Sequence, residues 1–403
     1  MKHNRQKKID SRNRKMKILM VNYEYPPLGG GGGVFCSQLA EEFAQQHDVT
    51  VLTSRFKDQE AYEIINGVEI YRVPVLMRND PNAASLVSML SFLPSSLLKG
   101  LGQLRNQSYD IVHSMFAIPS APTGLMLART FKAPHVLSLL GGDVYDPSKK
   151  LSPHDTPILH GIVKSMMDSS DHVVALSTDI RDRARRYYRP SREIDIVHLG
   201  IPEPRLKAKK RVVSGVSSDD IVLVTVGRLV RRKAVQELIQ FVDAIKNPRL
   251  KLIVVGDGPE RKSLESQANR LELQKKVIFT GFVSDEEKFQ LLNISDCYVS
   301  TSQHEGFGIV FLEAMACGLP IVCYDKGGQV DFLTNGETGY VVGLGNSLGY
   351  QEKLTHLVEE ASIRQSMGKH NRAYVAEQYF ISTCADKYAA IYDRLMALKR
   401  GLS

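Results

Sequence analysis

Apolar runs of four to six residues, bounded by glycine, proline or polar clusters, recur along this chain with helical segments between most of them. The first, Lys17–Asn22 (KILMVN), is apolar at consecutive positions, as a strand buried on both faces of a parallel sheet requires. Further runs at 49–53, 69–73, 110–113, 135–139, 172–176 and 195–198 predict one parallel, doubly wound sheet. Ile201-Pro202-Glu203-Pro204 and the basic run to Arg211 break the alternation, because two closely spaced prolines prevent regular structure; they predict a linker. A second series follows at 221–226, 251–255, 277–281, 296–300 and 321–323, and a helix over 385–400 closes the chain. The pattern therefore predicts an α/β protein with a tail over 1–15, domains over 16–200 and 212–380 joined by residues 201–211, and a closing segment over 381–403.

Between the strands of the first series, Leu86, Leu90, Leu93, Leu97, Leu101 and Leu104 form an apolar seam on a predicted helix pair broken at Pro94. Such a seam either packs into the core or faces an acceptor or a membrane. A length of 403 residues exceeds what one core serves and fits two domains, and Leu, Ile, Val, Phe and Tyr fill both cores in the absence of tryptophan. Five cysteines without C-x-x-C spacing argue against a metal or disulfide framework and for a reducing, cytoplasmic setting. No secretory signal or spanning helix is predicted, since the first apolar run is short and the stretch 83–98 is cut by serines and Pro94.

The net charge of +8 changes little, because residues 1–17 hold eight Lys or Arg against one Asp and the remainder is close to neutral. A broad nucleic-acid-binding face is not supported. The tail over 1–15 is too polar to order itself and is expected to be disordered, with a surface role at an anionic membrane as one use for its charge; Met16 would itself serve as a start.

Candidate chemistry gathers at the predicted carboxyl ends of strands, where open α/β sheets bind ligands. Glu305-Gly306-Phe307-Gly308 follows the strand at 296–300, and Glu313 is the only charge in the helix after it. Two helical turns, roughly 12 Å, separate the carboxylates, so they could hold different parts of one elongated ligand. Alternatively, Glu313 is a buried carboxylate paired with a core cation. Arg228 and Lys233 follow the strand at 221–226, spaced to grip a diphosphate. Gly29, Gly30, Gly31, Gly32 and Gly33 lie between the first strand and a helix over 34–46, either as a backbone cradle for phosphate or as a flexible turn. Leu140-Gly141-Gly142-Asp143 follows another strand, His113 reads as a structural histidine, and six arginines between Arg181 and Arg192 read as a solvated face or an anion seat.

With seven residues between Glu305 and Glu313, and Gly306-Phe307-Gly308 beside the first, this stretch resembles the E-x7-E motif of retaining glycosyltransferases of the family 4 type. Residues 227–234 resemble that family's G-R-L-x-x-x-K-G, with Ala234 for the last glycine, and 335–339 resemble its N-G-x-x-G turn. The family commonly has H-G-x-D where this chain has Leu140-Gly141-Gly142-Asp143; the lost histidine touches the donor sugar in relatives.

The resemblance, which runs from about Lys17 to the end, implies two facing Rossmann-like domains of the GT-B architecture, with the last helix crossing back to the first domain. It implies transfer of a hexose, with retention, from a nucleoside-diphosphate sugar bound in the second domain to a sugar, lipid-linked or small-molecule acceptor bound in the first. Glu305 and the neighbouring amides of Gly306, Phe307 and Gly308 would contact the sugar, Glu313 the ribose, Arg228 and Lys233 the phosphates, and the loops at Gly256, Phe282 and Val283 the base. Asp143 joins the catalytic candidates, the Gly29–Gly33 loop would close over phosphate or acceptor, and neither a metal nor a further cofactor is expected. A catalytically silent nucleotide-sugar-binding or partner-binding relative is the competing expectation. A Rossmann dehydrogenase is disfavoured, because the glycine loop lacks G-x-G-x-x-G with an acidic ribose ligand.

Overall fold

The computed structural model describes residues 15–28, 30–80, 84–146, 152–206 and 214–401. The tail expected to be disordered lies, except for Lys15, outside the described residues, as do Gly29 and the linker's basic run from 207 onward. The chain divides into two compact units, one running to Gly200 and resumed from Ile381 onward, the other Ile201–Phe380.

The first unit is built on β1 (Lys17–Asn22), α1 (Gly31–Ala44), β2 (Asp48–Ser54), β3 (Tyr62–Ile65), β4 (Val68–Val73), α2 (Leu86–Gly102), β5 (Ile111–Met115), α3 (Ser120–Phe131), β6 (His135–Leu139), α4 (Pro157–Ser169), β7 (His172–Ala175), α5 (Thr178–Tyr188) and β8 (Ile194–Ile196). Its sheet runs β3-β4-β2-β1-β5-β6-β7-β8 and is parallel except where β3 folds back on β4. β1 sits inside it between β2 and β5, so every residue after Lys17 is buried, as the unbroken apolar run demands.

α2 is one helix and not the expected pair. Ser85 caps it by accepting a hydrogen bond from the Ser88 N–H, and the helix continues through Pro94 because its inner face is well seated. Phe92, Ser96 and Gly100 are buried there, and the Ser96 hydroxyl meets that of Thr123 on α3 at 2.7 Å. The leucine seam divides: Leu104 is buried and Leu93 and Leu97 are half-buried, whereas Leu86, Leu90 and Leu101 are exposed, together with Val87 and Leu98.

The second unit holds β9 (Ile221–Val226), α6 (Val235–Ala244), β10 (Leu250–Val255), α7 (Arg261–Arg270), β11 (Val277–Gly281), α8 (Asp285–Ile294), β12 (Cys297–Ser300), α9 (Ile309–Ala316), β13 (Ile321–Tyr324), β14 (Gly339–Val342), α10 (Ser347–Glu359) and α11 (Ala361–Gln378). Its sheet, β11-β10-β9-β12-β13-β14, is parallel throughout, with β9 and β12 adjacent at the centre.

The last helix, α12 (Ile381–Lys399), belongs to the first unit. The Tyr392 hydroxyl lies 2.6 Å from His113 Nδ1 and that of Tyr388 lies 2.8 Å from Ser138 Oγ. His113 is fully buried between these partners and Ser138, 2.8 Å from its other nitrogen; burial lowers its pKa to about 3. It is a neutral structural residue.

Candidate functional site

The carboxyl ends of β9, β10 and β11 meet through their backbones. Gly227 N–H donates to the Val255 carbonyl and Gly256 N–H to that of Gly281, both at 2.9 Å. A side chain at Gly256 would put its Cβ 2.1 Å from the Gly227 carbonyl oxygen, and φ is +126°, so only glycine lets the strand ends close up this far. Phe282, directly after β11, is 88% exposed at this edge, and Val283 beside it is half-buried.

After β9 the chain leaves Arg228 exposed and makes a 3-10 turn over Arg231–Lys233. Ala234, which ends the turn, is left-handed at φ +46°, a conformation that costs an L-residue about 1–2 kcal/mol and explains why the motif it resembles carries glycine here. The turn is held from β12's end: the Thr301 hydroxyl lies 3.1 and 2.9 Å from the Lys233 and Ala234 carbonyls. Gln303 N–H donates to the Arg232 carbonyl at 2.9 Å, and Arg232 Nη1 donates to the His304 carbonyl at 2.7 Å.

This stitching delivers Lys233 to Glu305. Lys233 Nζ donates to Glu305 Oε1, and Arg232 Nη1 stands 3.5 Å from Oε2. Glu305 is 6% exposed. Burial alone would raise its pKa, but Lys233 and then Arg232 outweigh that and hold the carboxyl below its ordinary range. The Glu305 backbone is fixed in turn by the loop after β13, donating to the Lys326 carbonyl at 3.3 Å and accepting from Gly328 N–H at 3.0 Å.

Gly308 caps α9 with no side-chain hydrogen bond, leaving the helix start beside Glu305 lined by backbone N–H groups. The region around Gly306 is open, whereas the Phe307 ring is buried against Phe332 with centroids 5.2 Å apart, so Phe307 offers its backbone to this site. Glu313, also buried, pairs with Lys288 of α8 at 2.7 Å. The core-cation alternative is thus realised for one of its oxygens, and burial still raises its pKa against the pull of Lys288.

In the first unit the glycine loop is shorter than expected, because Gly31–Gly33 already form the first turn of α1. A Cβ on Gly32 would lie 2.5 Å from the Phe116 ring and 2.8 Å from Leu140, so the apolar Leu140 and Phe116 close around the helix start. Asp143 is buried with both oxygens engaged: one accepts from Ala117 N–H at 2.7 Å, the other from Gly141 N–H at 2.9 Å and Leu140 N–H at 3.1 Å. Burial raises its pKa even against those bonds. Its visible work is to tie the loop after β6 to the loop after β5. Among the clustered arginines, Arg181, Arg183 and Arg185 pair with Asp182, Asp179 and Glu193 at 2.7–2.9 Å.

The second unit therefore unites Glu305, Lys233 and the start of α9, with Arg228 and the Gly256 turn at neighbouring strand ends. Sequence reasoning passed over Arg232, Thr301 and Lys288. Arg232 stood inside the basic motif without distinction from Arg231; for Thr301 and Lys288 only the fold reveals the partner.

Two α/β units, each on a mainly parallel sheet, make up the GT-B fold. Residues 29–205 match the model of Glycosyltransferase Family 4 and residues 207–374 that of Glycosyl transferases group 1; the chain belongs to the family 4 type of glycosyltransferase. It is 26% identical over 400 residues to N-acetyl-alpha-D-glucosaminyl L-malate synthase of Bacillus anthracis, covering 94% of this chain and 97% of that one. It is 27% identical over 346 residues to the GDP-mannose-dependent alpha-(1-6)-phosphatidylinositol monomannoside mannosyltransferase of Mycolicibacterium smegmatis, covering 81% and 85%. Among solved structures, sucrose-phosphate synthase from Thermosynechococcus elongatus superposes with a TM-score of 0.80 at 20% identity, over 95% of this chain and 100% of that one. HepE of Anabaena in complex with UDP-glucose gives 0.71 at 20% identity, over 93% and 99%.

Proposed function

We propose that the protein transfers a hexose from a nucleoside-diphosphate sugar, with retention of anomeric configuration, to a sugar, lipid-linked or small-molecule acceptor. The observation that carries this is the contact of Lys233 with Glu305. Residues 72 positions apart bring a cation for the diphosphate and a carboxylate for the sugar to one point at the strand ends. Arg228 and Lys233 grip the diphosphate, Glu305 and the amides of Gly306 to Gly308 orient the sugar, and Glu313 takes the ribose hydroxyls. Gly256, Phe282 and Val283 flank the base, with the Phe282 ring exposed for stacking. The HepE structure holds UDP-glucose, and the mycobacterial relative is named for GDP-mannose, which supports a nucleotide-sugar donor.

In the reaction the bond from the anomeric carbon to the diphosphate oxygen breaks and the acceptor oxygen bonds to the same face. The acceptor's proton passes to the departing phosphate oxygen. Negative charge grows on the diphosphate in the transition state, and fixed cations and helix amides stabilise it without reorganising, so the mechanism proposed needs no divalent ion. Asp143 is spent on three backbone N–H groups and acts as an organiser of its loop, not as a covalent nucleophile. In the described part of the glycine loop, the N–H groups of Gly31 and Gly32 in the first turn of α1 are assigned to phosphate or acceptor, since those of Gly30 and Gly33 donate to Glu24 and to the Gly30 carbonyl.

The site of action proposed is the cytoplasmic face of an anionic membrane. Among the described residues no helix is long and apolar enough to cross a membrane. However, α2 presents Leu90 at 64% and Leu98 at 77% exposure on a helix without acidic residues, and the tail is strongly basic. Two relatives carry lipid names, the mannosyltransferase above and an alpha-monoglucosyldiacylglycerol synthase of Streptococcus pneumoniae.

A nucleotide-sugar-binding chain without turnover is the second reading, favoured by Leu140 standing where the H-G-x-D motif that this stretch resembles has histidine. Screening UDP-, GDP- and ADP-sugars for thermal stabilisation identifies the donor, since a ligand bound to the folded state raises its stability by mass action. Transfer from that donor in the presence of EDTA, giving a product of unchanged anomeric configuration by NMR, is the expected result. An inverted product refutes retention, and binding without transfer to any acceptor favours the second reading.

A further inference from the structure

The pairing of Glu305 with Lys233 poses a difficulty for the reading above. A cation that holds the donor's diphosphate must loosen its grip on Glu305, and a buried carboxylate stripped of its only cation takes up a proton and shifts. Glu305 is not so exposed to that loss, because Arg232 stands 3.5 Å from its second oxygen. Arg232 is itself anchored from both ends. Its carbonyl accepts from Gln303 N–H at 2.9 Å, and its guanidinium donates to the His304 carbonyl at 2.7 Å. It therefore binds the turn after β9 to the loop that carries Glu305, and its half-exposed side chain sits at the edge of the site.

We propose that Arg232, at a position the family motif leaves open, is the positioning residue that holds Glu305 in place when Lys233 turns to the donor's diphosphate. The inference rests on the assignment of Lys233 and Glu305 above and adds a division of labour between adjacent cations. Lys233, a compact point charge on a flexible stem, is the mobile partner, whereas Arg232, whose Nη1 is held on the His304 carbonyl at 2.7 Å while standing 3.5 Å from Glu305 Oε2, stays. The groups that face Glu305 are Lys233 and Arg232 from the turn, Ser302 from its own loop, the Tyr298 phenol of β12 and the Cys323 thiol of β13. Among these described residues the first two are the cations, so removing Arg232 leaves the carboxylate dependent on the cation that the donor takes away.

The test compares wild type with Arg232→Ala, Arg232→Lys, Lys233→Ala and Glu305→Gln. In Arg232→Ala the acid limb of the kcat profile moves to higher pH, because a carboxylate that has lost a stabilising cation protonates sooner. At neutral pH kcat falls by roughly 10- to 100-fold, as for a misplaced reacting group. Nucleoside diphosphate affinity, measured by titration calorimetry, stays near wild type in Arg232→Ala and falls in Lys233→Ala, and Arg232→Lys restores part of the lost rate. A 13C titration of the glutamate carboxyls, with Glu305 assigned by its loss in Glu305→Gln, reads the same shift without turnover. An unmoved Glu305 titration in Arg232→Ala overturns the proposal, as does a loss of nucleotide affinity equal to that of Lys233→Ala. If instead Glu305→Gln transfers sugar at the wild-type rate while the carboxyl titration still moves in Arg232→Ala, the catalytic assignment of Glu305 fails and the tether stands.

Discussion

Replacing Lys233 with methionine separates what the Lys233–Glu305 pair does for stability from what it does for chemistry. Both side chains are largely buried, at 14% and 8% exposure. Breaking a buried pair by deleting one partner costs about 3–5 kcal/mol, because the other charge stays behind, and with Arg232 still 3.5 Å from Oε2 the lower end, about 3 kcal/mol, applies. Removing both charges together is often close to neutral, so Lys233→Met with Glu305→Gln should return to within about 1 kcal/mol of wild type while turnover stays depressed. The carboxyl's pKa is lowered from an ordinary 4.5, so its contribution to wild-type stability is complete above that value and is lost as pH falls through the folded-state value. The Lys233→Met variant should lose most of that acid dependence. All five cysteines are buried, and Cys297, Cys317 and Cys323 lie in the second unit, so pulsed alkylation along a urea series, read by mass spectrometry, reports the opening of that unit alone. Equal destabilisation in the single and double variants would refute the argument, since the cost would then lie in lost packing and not in a stranded charge.

Arg228→Ala should cost on the order of 2–4 kcal/mol of transition-state stabilisation, the worth of a preorganised charge-stabilising donor, and wild-type activity should survive EDTA; an obligatory divalent ion would defeat the metal-free mechanism. Glu313→Ala should weaken nucleotide binding more than turnover at saturating donor, and unchanged affinity in calorimetry would remove the ribose assignment. A chain starting at Met16 should fold and keep its turnover on a soluble acceptor, while binding to anionic vesicles falls and loses salt sensitivity. Leu90→Ser with Leu98→Ser should reduce vesicle binding further, and unchanged binding in both variants would dispose of the membrane role.

Much of the fold was legible because its parallel strands are buried on both faces and so write themselves as unbroken apolar runs, as in β1. The edge strand β3 was not, since its residues are mostly exposed. Its signal was the Asn66-Gly67 pair, both left-handed in the two-residue turn to β4, a strong local cue for a hairpin that the apolar pattern overshadowed. The start of α1 was hidden for the opposite reason. Glycines read as a loop by propensity, yet Gly31–Gly33 are helical, and Gly32 must be glycine because Phe116 and Leu140 leave no room for a Cβ. Within the candidate site, motif spacing pointed to Glu305, Lys233 and Glu313. The partners that set their charge, Arg232 and Lys288, lie 73 and 25 positions away in sequence, and only the packing of the β9 turn and of α8 brings them in.

In the function proposed above, the carboxyl ends of β9 to β12 and the start of α9 form the donor site. A crystal structure of the protein with the nucleotide sugar that stabilises it tests this most directly. The diphosphate is expected within hydrogen-bond reach of Arg228 and Lys233 Nζ, the ribose on Glu313 and the sugar beside Glu305, with Arg232 still on the His304 carbonyl. A nucleotide seated away from these strand ends, or one whose diphosphate meets neither cation, would contradict it.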